Sequence, residues 1–136
     1  MMYGFKQRFV APILAGTKTG TIRAPRAGRC RHARPGNALQ LKSGPRFRPV
    51  VFADTTCTGL FDIHLCMGAD PLWVAHFPGE HLIFSASETP ADLDSFAIAD
   101  GFTDWEDLCR FWWDTHKVKD FAGSWIRWAG AEVKPR

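Results

Sequence analysis

Residues 16–23 read GTKTGTIR, a lysine, threonine hydroxyls and an arginine set between and beside two glycines. Ahead of it, Phe9 to Ala15 can make one or two helical turns, with Pro12 tolerated near the start and Gly16 supplying the stop. The motif therefore sits at a helix-to-strand junction. In a regular strand Lys18 and Thr21 would face opposite sides, so joint action requires Lys18 to lie in the turn or Gly20 to bend the chain. Glycines also let a ligand approach the backbone, and an amine, hydroxyls and a guanidinium together suit an anionic, hydrogen-bonding ligand such as a nucleotide.

Outward from this junction the pattern is that of an α+β chain. Strand character appears at Ala38 to Leu41 and at Phe47 to Phe61, and shorter strands are expected at Phe61 to Cys66, His81 to Ser85 and Ser124 to Trp128. Several short strands joined by turns suggest a small barrel. Two helices complete it. The first should run from Pro90 to Asp100, with Thr89 as N-cap, Asp92 in the first turn and Gly101 as stop. The second opens on the capping-box pattern Thr103-Asp104-Trp105-Glu106 and ends near His116 and Lys117. No repeat, low-complexity tract or long linker divides residues 1–136, so a single domain is expected.

Charge is unevenly placed. Eleven Lys and Arg and no Asp or Glu precede Asp54, whereas the remainder holds six basic and fourteen acidic side chains. The run Arg23, Arg26, Arg29, Arg31, Arg34, broken by Pro25, Gly28 and Pro35, reads as a basic loop that points to phosphate or RNA backbone, or else to a solvated surface. The N-terminus lacks the apolar stretch of a signal peptide, and nothing is long and apolar enough to span a bilayer. Four cysteines without a CxxC pair read as reduced thiols, and cytoplasmic localisation is expected. A metal centre would have to combine Cys30 and His32 with Cys57, His64 or Cys66, a spacing that fits no familiar zinc pattern. Neither a metal nor another cofactor is expected.

Asp100 breaks the pattern around it. It falls seven residues after Leu93, on the apolar face marked by Leu93, Phe96 and Ala97, and at a helix C-terminus whose dipole disfavours an anion. Both effects raise a carboxyl pKa and suit proton exchange, although a structural ion pair or turn cap accounts for the position equally well. Trp105, Leu108 and Trp112 form a core-facing stripe, with Cys109 and Trp113 beside it, while Trp73 follows no such period and is the better candidate for stacking a base. Lys18 can serve as a base if burial or neighbouring cations such as Arg23 lower its pKa, with Thr21 as the activated nucleophile.

The segment RFVAPILAGTKTGTIR, residues 8–23, with the Pro35-Gly36 turn and Leu39, resembles the signature of ASCH domains, a family of the PUA-like β-barrel superfamily. ADGFTDWEDLCRFW and FAGSWIRW are similar to the family's helix and last-strand segments, so the likeness spans most of the chain. The fold this implies is a PUA-like small mixed β-barrel with flanking α-helices. Within the family, the segment is similar to small bacterial amidohydrolases that remove the acetyl group from N(4)-acetylcytidine. What that implies is a Lys/Thr/Glu set: lysine activates threonine, threonine attacks the amide carbonyl, and the acid manages the leaving-group proton. The set maps onto Lys18, Thr21 and Asp100, with Asp standing where the family has Glu, and with Glu80 and Glu88 as fallbacks.

The expected activity is metal-independent hydrolysis of an acylated cytidine or related amide. Arg8, Thr19, Arg23, Arg26, Arg29, Arg31 and Arg34 are the candidates for substrate or nucleic-acid binding. The expected partner is an acylated nucleoside or RNA, without a membrane or an obligatory protein partner. Two alternatives stand beside it: an RNA- or nucleotide-binding module without catalysis, and a metal-independent ribonuclease using Lys18 and Arg23 on the phosphate, with His32 a surface histidine in the loop.

Overall fold

The computed structural model describes residues 1–26, 28–67, 72–76, 82–85 and 90–136, with side chains described except at 66, 72–76, 82–85 and 90–92. The strands are β1 (Met2–Phe5), β2 (Gly20–Arg23), β3 (Ala38–Ser43), β4 (Val50–Cys66), β5 (Leu72–His76), β6 (Leu82–Ser85), β7 (Asp120–Trp128) and β8 (Lys134–Pro135). The helices are α1 (Val10–Ala15), α2 (Pro90–Ala99) and α3 (Trp105–His116). The chain is thus mixed α+β.

β4, 17 residues long, organises the sheet. Its first part pairs with β3 and β8, its second part with β5 and β7, and a register shift between Cys57 and Gly59 interrupts its ladder with β7. The two strands expected on either side of Phe61 are therefore one. β7 pairs β4 and β2, and β1 lies parallel on β3. Among the described residues no backbone ladder joins β1 to β2, so the sheet is open and the small closed barrel expected from the strand pattern is not formed by these ladders. A side chain spans the gap instead: Arg23 Nη2 donates to the Gly4 carbonyl at 2.6 Å.

The core follows strand alternation. Leu39 and Leu41 of β3, Ala53, Leu60, Ile63 and Leu65 of β4, and Ile126 and Trp128 of β7 are buried together with Tyr3, Ile13 and Leu108. Trp125, on the other face of β7 from Ile126, is buried as well, its ring 5.0 Å from that of Phe96 of α2. The stripe on α3 packs as its spacing predicts, with Leu108 and Trp112 buried and Trp105 half-buried, while Trp113 is exposed. The cap of α3 differs from the expected one. Asp104, not Thr103, accepts the Asp107 N–H at 2.8 Å, and Asp107 in turn accepts the Thr103 N–H. Two acids three residues apart thus bracket the start of α3 much as the Ser/Thr–Glu pair of a capping box does, except that the returning bond takes the N–H of the residue before the N-cap. Thr89, Glu80 and Glu88 lie outside the described residues, as do the side chains of Trp73 and Asp92.

Candidate active site

The glycines of GTKTGTIR fix where Lys18 sits. Gly16 closes α1 in the left-handed region, at φ 81°. The next two residues stay hooked to the helix end, the Thr17 and Lys18 N–H groups both donating to the Pro12 carbonyl. Trp128 then holds the Lys18 and Thr19 carbonyls through its indole and backbone N–H at 3.1 and 2.9 Å. β2 begins only at Gly20, where a Cβ would meet Trp125 Nε1 at 2.5 Å. Lys18 therefore belongs to the turn, and the opposite-face problem of a regular strand does not arise.

Asp100 arrives from the other side. The Gly101 N–H donates to the Ile98 carbonyl and the Phe102 N–H to the Ala97 carbonyl, with Gly101 at φ 97°, a Schellman ending in which Asp100 is the C-cap of α2. Helix ends leave carbonyls without partners, and this one is completed by the motif: Thr19 N–H donates to Ala99 O, and Lys18 Nζ donates to Asp100 O. The ammonium also donates to Gly20 O at 2.7 Å and lies 3.4 Å from Asp100 Oδ1. A cation here complements the helix dipole that disfavours Asp100.

Both partners are buried, Lys18 at 2% and Asp100 at 4% exposure. Burial pushes the Asp100 carboxyl up to about 6, against the pull of Lys18, and pushes the Lys18 amine down, against the pull of Asp100. Desolvation outweighs attraction in each case, so a proton can be held on either side of the pair.

Thr21 and Arg23, two apart on β2, share a face. Thr21 is buried and its Oγ1 accepts from Arg23 Nε at 3.2 Å. Among the described residues no hydrogen bond joins Lys18 to Thr21. All three side chains, with Asp100, line one cavity of ≈ 580 Å³. Its walls are aromatic, from Phe5, Phe9, Phe111, Trp112 and Phe121. The Trp112 ring lies 4.7 Å from that of Phe121 and 4.8 Å from that of His116. The stripe position of Trp112 marks it as core, and it is core; that the same ring also forms a cavity wall depends on Phe5 and Phe121, which no local pattern connects to it.

The remaining candidates divide. Arg23 lines the cavity, half-buried, with its guanidinium over the Tyr3 and Phe5 rings and, among the described residues, without an ion pair to a carboxylate. Arg8 is paired with Asp107 at 2.7 Å and covers Phe9, Phe102 and Phe111. Thr19 does not line the cavity and receives Arg127 Nη2 at 3.2 Å. Arg26, Arg29 and Arg34 are exposed on the loop, and Arg31 donates to Asn37 Oδ1 and the His32 carbonyl.

His32 is not a surface residue. It is 2% exposed, with Nε2 2.7 Å from the Ala24 carbonyl and Nδ1 3.0 Å from Tyr3 Oη, and that hydroxyl accepts the Ala33 N–H. The carbonyl requires Nε2 to carry the proton, so Nδ1 accepts from Tyr3 and the imidazole is neutral; burial lowers its pKa in agreement. This clamp pins the arginine loop. Because the folded-state pKa is depressed, its contribution is complete above about pH 6.5 and is lost as pH falls from there through the folded value. Thermal melts of His32→Gln should show a loss of about 1–3 kcal/mol near neutral pH that narrows on acidification; a gap independent of pH contradicts the clamp.

Among the described residues no group of three or more His, Cys, Asp or Glu could hold a metal ion, and no helix is long and apolar enough to cross a membrane. Cys30, Cys57 and Cys109 are free thiols. No family model, curated protein or solved structure matches the chain.

Proposed function

We propose that the protein is a metal-independent amidohydrolase that removes the acyl group from N(4)-acetylcytidine or a related acylated nucleoside, with the ASCH-type, PUA-like architecture its sequence resembles. The observation that carries this reading is the contact of Lys18 with Asp100, both buried, on the wall of a cavity that Thr21 also lines.

In the proposed reaction Thr21 Oγ attacks the acyl carbonyl carbon and its proton passes to neutral Lys18. The C–N bond breaks as the exocyclic nitrogen takes a proton from the Lys18–Asp100 pair, releasing cytidine and leaving an ester on Thr21. Water then cleaves the ester to the free acid and restores the hydroxyl. Lys18 Nζ rests on Gly20 O and Asp100, so activation of Thr21 takes a rotation of the lysine side chain toward Oγ1 when substrate enters. Arg23 supports the same step: an N–H given to Oγ1 favours the alkoxide, leaves the hydroxyl proton free to depart, and orients the nucleophile. The aromatic walls suit a planar base. His32, with both ring nitrogens engaged, is not placed for the ribonuclease alternative.

Purified protein incubated with N(4)-acetylcytidine should release cytidine and acetate; unchanged substrate that nevertheless binds favours the non-catalytic module. Arg23→Lys, which replaces a fixed fork by a point charge, should lower kcat by about tenfold or more with little change in KM. An unaltered kcat removes Arg23 from the reaction.

A further inference from the structure

We infer that the turn between β3 and β4 is a docking surface for single-stranded RNA, so that the acylated cytidine reaches the cavity as part of a strand; this rests on the amidohydrolase reading above. Arg48 N–H donates to the Pro45 carbonyl at 3.0 Å, which places Arg46 and Phe47 at the apex of the turn. Phe47 is 90% exposed, the Arg46 guanidinium lies 5.9 Å from its ring, and Val50 beside it is 63% exposed. A phenylalanine at a loop apex gains nothing from the fold, yet an exposed ring with a guanidinium beside it is an arrangement on which a base stacks while the cation meets phosphate.

The register joins this apex to the cavity. Phe5 pairs with Ser43 and Gly4 with Lys42, and Gly4, Phe5 and Lys6 all line the cavity. The Lys42 stem lies beside Gly4, its Cε 3.6 Å from where a Cβ would be. Lys6 Nζ stands 5.3 Å over Phe111, a wall residue. Lys6, Lys42, Arg46 and Arg48 therefore make a basic path from cavity to apex. None of them is in an ion pair among the described residues, and no acid precedes Asp54, which is held by Arg136. A free nucleoside carries no charge to meet such a path, whereas consecutive phosphates do.

The test measures binding of a short fluorescein-labelled single-stranded RNA carrying one N(4)-acetylcytidine, by anisotropy over a salt series, beside deacylation of the free nucleoside. Phe47→Ala should weaken RNA binding about tenfold or more. The Arg46→Ala/Arg48→Ala double variant should reduce the slope of log affinity against log salt by about 1.4. All three side chains are exposed, so the fold is retained and kcat/KM on the free nucleoside should not change. RNA affinity indifferent to these substitutions, or Phe47-dependent binding to phosphatidylserine vesicles without RNA binding, overturns the inference. If RNA binds as described but no acetyl group is released, the docking surface stands and the amidohydrolase reading fails.

Discussion

Thr21→Ala and Lys18→Ala should each reduce release of cytidine from N(4)-acetylcytidine by on the order of a thousandfold or more, and the double variant should be scarcely worse than either alone. The expectation follows from a unit in which the nucleophile and the group that takes its proton act in one step. Independent contributions would multiply instead. Thr21→Ala removes one hydroxyl from a buried position and leaves Arg23 its bond to Gly4, so circular dichroism should show an intact fold. Lys18→Ala removes the donor that completes the C-terminus of α2, so a loss of stability should accompany the loss of activity. A Thr21→Ala variant with full activity would falsify the nucleophile assignment whatever Lys18 does.

Asp100→Asn should lower turnover by about a hundredfold or more while leaving the fold and ligand binding nearly intact. The backbone carbonyls of residue 100 and Gly20 still receive Lys18 Nζ in this variant, so the amine is not orphaned. The wild-type rate should also carry an acid limb. The Asp100 carboxyl titrates near 6, so below that pH the acid holds a proton in addition to the one on Lys18, the amine can no longer be freed by passing its proton to Asp100, and neither group can take the proton of Thr21; the rate falls as pH drops through 6. That limb should vanish in Asp100→Asn. Asp100→Glu, which restores the residue of the amidohydrolases the sequence resembles, should retain activity. A limb unchanged in Asp100→Asn assigns the titration to another group and removes Asp100 from proton transfer.

Gly101 gives an independent handle on the same geometry. At φ 97° it is strained by any side chain, and a Cβ would lie 2.6 Å from Lys18 Cδ and 2.9 Å from Phe9 Cδ1. Gly101→Ala should destabilise the protein by about 1–3 kcal/mol and displace Lys18, visible as a lower Tm and a lower kcat together. Normal kcat in a folded Gly101→Ala protein contradicts the dependence of activity on the placement of Lys18.

What could be read from the sequence was local. Gly16 as a helix stop, the acids that open α3, the Gly101 ending of α2 and the odd carboxylate on its apolar face all rest on chemistry within a few residues. What could not be read depends on residues far apart. β4 runs unbroken through Phe61 because β7 and β5 flank its second part. The β1–β2 gap is spanned by a side chain rather than a ladder. His32 is buried because Tyr3, 29 positions away, meets its ring. The aromatic cavity wall unites β1, α3 and β7, and no periodicity within any one of them announces it.

The most direct test of the central claim is to follow N(4)-acetylcytidine by chromatography with the wild-type protein and Thr21→Ala side by side, both shown to be folded. Cytidine and acetate should form with the wild type and at no more than about a thousandth of that rate with Thr21→Ala. No release by the folded wild-type protein, or equal release by both, contradicts it.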